Sequence, residues 1–147
     1  MPSGKRDEIC SAALRLFVEK GIAATTTREI AGSADTAEGN IYRYFKSKDH
    51  LAKYVFETCA SRLMGALTQS MADVSRPAER LKVLIRAMFE FYRREPDAFR
   101  FILLSHQMNL ARVDTLYGKS LPKELFVDVL EAGVASGDFR MVDPVLA

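Results

Sequence analysis

Apolar residues recur at three- and four-residue intervals along nearly the whole chain, and no stretch alternates apolar with polar. Such spacing gathers side chains into one stripe of a helix but scatters them over both faces of a strand. The chain is therefore expected to be all-α. A first helix over residues 6–20 shows Ile9, Ala12, Ala13, Leu16 and Phe17 on one face and stops at Lys20-Gly21. Thr26 and Glu29 then stand at the spacing of a capping box, in which each side chain satisfies an amide N–H of the other's backbone. The helix they open is short, because Gly32-Ser33 and Asp35 interrupt it. A third short helix is expected over 37–45, with Ile41, Tyr44 and Phe45 on one side. A fourth, capped by Ser47, keeps helical spacing for roughly 25 residues, about 38 Å. Ser75-Arg76-Pro77 ends it. A fifth places Leu81, Leu84, Ile85, Met88, Phe89 and Tyr92 on one stripe, and a sixth is expected over 96–110. The sixth has two stripes, Phe99, Ile102 and Leu103 beside Phe101, Leu104 and Met108, the pattern of a helix at the centre of a bundle. A seventh, over 121–135, carries Leu125, Phe126, Val129, Leu130 and Val134.

Composition narrows the class of function. With 147 residues, 48% hydrophobic and 27% charged, the chain can bury a core and does not read as disordered. No apolar run approaches the roughly 20 residues of a membrane span. The charged N-terminal stretch has no apolar signal core, so a cytoplasmic location is expected. Cys10 and Cys59 make neither a disulfide framework nor a metal knuckle; they read as small buried apolar groups, with a redox switch as the competing reading. Acidic and histidine side chains lack metal-ligand spacing, and no serine or cysteine has a base in motif. No enzyme activity, metal or cofactor is expected. Residues 1–54 hold nine basic and seven acidic side chains and the remainder twelve of each, so the net charge of +2 lies wholly in the first third. That bias matters only because a motif falls in the same place.

The first three helices, with a tight turn at Gly32-Ser33-Ala34-Asp35-Thr36 and Asp35 where a left-handed backbone is needed, describe a helix-turn-helix unit. Its third helix presents Glu38, Gly39, Asn40, Tyr42 and Arg43, small or hydrogen-bonding groups suited to base edges in a major groove. Asn40 is the side chain best shaped to pair with adenine. Tyr42, Tyr44, Lys46 and Lys48 suit sugar and phosphate contacts, and Thr27 and Arg28 at the start of the second helix could approach a phosphate. Packing aromatics, solvated lysines and plain helix-start chemistry are the competing readings of these same residues.

Thr25-Thr26-Thr27-Arg28-Glu29-Ile30-Ala31, followed by Gly39-Asn40-Ile41-Tyr42-Arg43-Tyr44-Phe45-Lys46-Ser47-Lys48-Asp49, resembles the TetR family of transcriptional repressors. With Phe17 and Gly21 the resemblance spans roughly residues 6–55. It implies that the third helix reads operator bases, that Tyr42 and Lys48 contact the DNA backbone, and that the later helices bind a small effector and dimerise. The chain departs from the family pattern in having Asp35-Thr36 for the usual Gly-Val of the turn, and Ala37 where Ser or Thr usually caps the reading helix. Thr36 for Val is expected to weaken packing by about 1 kcal/mol, and to offer a cap one residue early.

The expected organisation is a DNA-binding domain over 1–55 and an effector-binding and dimerisation domain over 56–147. Phe89, Tyr92, Phe99, Phe101, Leu103, His106, Met108 and Tyr117 are the candidates for lining an apolar effector site. Core packing is the competing reading of each, His106 included. The resemblance implies two further helices beyond Ala147, so the chain is expected to be a shortened form with a weakened or remodelled dimer interface. The function that follows is a repressor, dimeric on double-stranded palindromic DNA and released by a small apolar or amphipathic effector. Its competitors are a helical carrier or interaction module that has lost DNA binding, and a repressor without an effector.

Overall fold

The computed structural model describes residues 4–107 and 122–140. It contains seven helices and no strand among the described residues: α1 (Lys5–Lys20), α2 (Thr27–Ser33), α3 (Glu38–Tyr44), α4 (Lys48–Ser70), α5 (Pro77–Arg94), α6 (Pro96–Gln107) and α7 (Pro122–Ser136). The all-α expectation holds. The boundaries of α1, α3 and α7 lie within two residues of those expected, whereas α4 ends at Ser70, ahead of the expected stop at Ser75-Arg76-Pro77, in a turn over residues 71–73. None of the described helices is long and apolar enough to cross a membrane.

Local chemistry starts and stops these helices. Thr26 Oγ1 accepts the Glu29 N–H at 3.2 Å while Glu29 Oε2 accepts the Thr26 N–H at 2.9 Å, so the expected capping box is formed. Ser47 Oγ accepts the His50 N–H at 3.1 Å and opens α4. Gly21 ends α1 at φ +86°, where a Cβ would be strained.

The chain divides into two compact units. One contains α1–α3, α4 through Ser61, and α6; the other contains the rest of α4, α5 and α7. In the first unit, α1 is the hub, packing against α2, α3 and α6. Ile9, Ala12, Ala13 and Phe17 bury its inner face, against which Ile30, Ala31, Ile41 and Phe45 close. The Phe17 ring stacks on Phe101 of α6 at 5.7 Å between centroids, and Phe56 of α4 meets Phe101 edge-on at 6.4 Å. Each such buried ring stabilises by about 1.5–3 kcal/mol, with the stacked geometry adding to it.

The place of α6 differs from expectation. It buries the single stripe Ala98, Phe101 and Ser105, while Leu103 is 52% exposed and Leu104 is also exposed. Packing thus joins α6 to the unit that holds the helix-turn-helix motif, although α6 lies some fifty residues downstream of that motif.

In the second unit, α5 and α7 pack together and bury Leu84, Phe91, Val129 and Gly133. Of the apolar face expected for α7, Val129 is buried while Leu130 and Val134 remain exposed. Gly137, at φ +78°, turns the chain so that Asp138 reaches the start of α5. There its carboxylate accepts the Ala78 N–H at 3.4 Å and pairs with Arg76 at 3.3 Å. The Phe139 ring lies against Gly133, where an added Cβ would fall 1.9 Å from Cδ2 and 2.9 Å from Cγ.

Two predictions follow from these contacts. Gly133→Ala should destabilise the protein by about 1–3 kcal/mol through overpacking against Phe139, read as a lowered urea midpoint with an unchanged slope. The Glu29 carboxyl is bonded first by the Lys20 ammonium and then by the Thr26 backbone and hydroxyl, which lower its pKa from 4.5 to about 2. A depressed carboxyl pKa contributes stability above pH 4.5 that is lost as pH falls toward 2. Glu29→Gln should therefore lower the urea midpoint at pH 7, with the gap from wild type closing as the pH approaches 2. A gap independent of pH would show that the carboxylate charge is immaterial.

Candidate nucleic-acid interface

The α2–α3 turn is built by backbone hydrogen bonds that only a left-handed residue allows. The Thr36 N–H reaches back to Ala31 O at 3.0 Å and the Asp35 N–H to Gly32 O at 3.3 Å, with Asp35 at φ +47° between them. Aspartate tolerates that region better than most side chains, so it can serve where glycine is usual. Ala34 and Ile41 are buried beneath the turn and fix the direction of α3.

The start of α3 differs from expectation. Ala37 is its N-cap without a side-chain bond, and Thr36 does not cap early. Instead Asn40 Nδ2 donates to Thr36 Oγ1 at 2.8 Å. This contact satisfies the Thr36 hydroxyl and offsets part of the cost of replacing valine. It also commits one amide proton of Asn40, a half-buried side chain, to holding the helix start.

Burial of Ile41 turns Glu38, Gly39, Tyr42 and Arg43 outward, with Tyr42 54% exposed. Tyr44 is exposed at the end of the helix. A Cβ on Gly39 would meet nothing within 4 Å, so no packing inside the unit demands glycine there. Across the turn, Thr27 Oγ1 donates to Glu38 Oε1 at 2.5 Å and lies 3.4 Å from the Tyr42 hydroxyl. The first turn of α2 and the outward face of α3 thus share one polar surface.

The basic side chains of this unit fall into two sets. Four on α1 hold the fold: Lys5 Nζ donates to Ala34 O and Asp35 O at 3.4 Å, Arg15 donates to Ser33 Oγ at 2.7 Å, and Lys20 pairs with Glu29. Arg6 completes the four, its guanidinium 4.2 Å from the Tyr54 ring centroid and 5.6 Å from that of Phe45. Lys48 joins this set, with Nζ donating to Thr25 O at 2.8 Å and Ala23 O at 3.4 Å, which ties the start of α4 to the α1–α2 loop. Lys53 pairs with Glu57 within α4. Arg28, Arg43 and Lys46 are exposed, and their side chains have no bonding partner among the described residues.

The stabilising work of Lys5, Arg6 and Arg15 was not read from the sequence. Their reach to Asp35, Tyr54 and Ser33 is set by tertiary packing, which leaves no mark on local spacing.

The described residues expected around an effector fall in both units. Phe101 is buried against Phe17 and Phe56 in the first unit, and Leu103 is exposed on the same helix. Phe99 is half-buried there. Phe89, 67% exposed, and Tyr92 lie on α5 in the second unit. His106 lies within α6, while Met108 and Tyr117 fall outside the described residues.

The N-terminal unit matches the model of bacterial regulatory proteins of the tetR family over residues 9–55. Over 144 residues the chain is 31% identical to the HTH-type transcriptional repressor KstR2 of Mycolicibacterium smegmatis, covering 95% of this chain and 69% of that protein. It is 30% identical over 141 residues to KstR2 of Rhodococcus jostii, covering 94% of this chain and 69% of that protein. Among solved structures it superposes on the ketosteroid transcriptional regulator KstR2 of Mycobacterium tuberculosis with a TM-score of 0.81 at 26% identity, covering 97% of this chain and 75% of that one. With its capping box, left-handed turn and outward-facing third helix, the chain belongs to the TetR family and is a DNA-binding transcriptional repressor.

Proposed function

We propose that the outward face of α3 enters the major groove of a palindromic operator, one copy of the chain on each half-site, and that Arg28, Arg43 and Lys46 neutralise the flanking phosphates. The observation that carries this reading is the partition of cations. In a unit that commits most of its basic side chains to internal contacts, those three stand exposed without a bonding partner among the described residues. Tyr44 offers its hydroxyl to the sugar-phosphate chain, and Gly39 lets the backbone of α3 approach the bases. Lys48 acts from one step back, holding α4 against the loop that precedes α2. DNA-binding and effector functions are assigned to residues 1–55 and 56–147. The protein acts in the cytoplasm, where its operator lies.

Release is assigned to a small apolar or amphipathic effector. Support comes from the ketosteroid named for the M. tuberculosis regulator and from exposed apolar side chains such as Phe89 and Tyr92 on α5.

Operator titrations at several salt concentrations test both halves of the reading. Each phosphate contact contributes close to one unit of slope in log affinity against log salt. Arg43→Ala and Lys46→Ala should each flatten the slope by about one unit, whereas Lys48→Met should weaken binding and lower the melting temperature with the slope unchanged. The reverse pattern would remove Lys46 and Arg43 from the interface and place Lys48 in it. Repeating the wild-type titration with a ketosteroid should lower operator affinity. No change with this or other apolar ligands would favour a repressor that works without an effector.

A further inference from the structure

Glu38 is an anion on a surface that meets a polyanion. The other outward groups of α3 are neutral or basic, so a carboxylate there must either repel DNA or find a hydrogen-bond donor on it. Phosphates and sugars of duplex DNA offer no such donor. The major groove offers two, the N4 amine of cytosine and the N6 amine of adenine. Adenine N6 stands beside the acceptor N7, which repels a carboxylate, whereas cytosine N4 stands beside a C5–H edge.

The neighbours of Glu38 settle which of its oxygens is available. The single hydroxyl proton of Thr27 is given to Glu38 Oε1 at 2.5 Å, so Thr27 Oγ1 can only accept from the Tyr42 hydroxyl 3.4 Å away. The relay runs from Tyr42 O–H to Thr27 O–H to the carboxylate. It fixes the rotation of Glu38 and leaves Oε2 as an acceptor on an exposed side chain. Holding the carboxylate in advance removes rotamer entropy that a free glutamate would lose on binding.

We propose that Glu38 is a specificity-determining residue that accepts from the N4 amine of one cytosine in each operator half-site, with Thr27 as the positioning residue that aims it. The proposal rests on the reading of α3 as the groove-entering helix, and adds the base class and the residue that selects it.

Selection of duplexes from a random pool, followed by affinity measurements at one fixed salt concentration, tests it. Wild type should require cytosine at one position per half-site, with a mismatch there costing at least about five-fold in affinity. Glu38→Ala should flatten the preference at that position alone, and Glu38→Gln should move it toward adenine, whose N6 and N7 suit a glutamine amide. Thr27→Val should broaden the same position, and Thr27→Ser, which keeps the hydroxyl, should restore it. A merely structural role for Thr27 would alter affinity for all duplexes without changing which base is chosen.

If Glu38→Ala and Glu38→Gln tighten or weaken every duplex equally, the carboxylate reads nothing and the proposal fails, while the DNA-binding reading stands. If wild type selects no duplex, both fail together.

Discussion

Burial of the Phe17 face of α1 is the contact on which the N-terminal unit depends. Neither α2 nor α3, at seven residues each, is long enough to persist alone in water. Both exist because Ile30, Ala31 and Ile41 find an apolar surface on α1. The same helix receives Phe101 from α6, so a late segment of the chain completes the core of the N-terminal unit. With the core fixed by apolar contact, the polar side of α1 sets angles. Lys5 holds the turn carbonyls, Arg15 holds Ser33 at the end of α2, and Lys20 holds Glu29 at its beginning. Exposed ion pairs of this kind contribute little to stability; their effect lies in where they place α2, and through it α3.

This arrangement gives the basic residues unequal tasks. A chain with a net charge of only +2 cannot rely on a general positive field to find DNA. It has to place a few cations well and keep the others from competing. Internal use of Lys5, Arg6, Arg15, Lys20 and Lys48 does both, stiffening the unit and leaving Arg28, Arg43 and Lys46 exposed. The polar relay through Thr27 belongs to the same logic, since it orders Glu38 and Tyr42 on the outward surface before any duplex arrives.

Much of the fold was legible in the sequence because its signals are local. The capping box at Thr26 and Glu29, the Ser47 cap and the left-handed Asp35 each depend on residues within a few positions. The buried stripe Ala98, Phe101 and Ser105 was not read, because the longer apolar runs of α6 masked it, and periodicity does not say which neighbour a stripe meets. Outward placement of Glu38, Tyr42 and Arg43 followed from Ile41 facing inward. The bond from Asn40 to Thr36 and that from Lys48 to Thr25 did not, because an amide or ammonium group has several partners within reach and only the folded backbone chooses among them.

Because α6 belongs to the unit built on α1, the helices α1, α2, α3 and α6 should open together. Hydrogen exchange on Phe101→Leu tests it most directly, because the substitution trims the stacked ring without emptying the site. Exchange should become faster, by roughly five-fold or more, at the Ala34 and Phe45 amides of the helix-turn-helix as well as along α6. Acceleration confined to α6, with the Ala34 and Phe45 amides exchanging as in wild type, would contradict it.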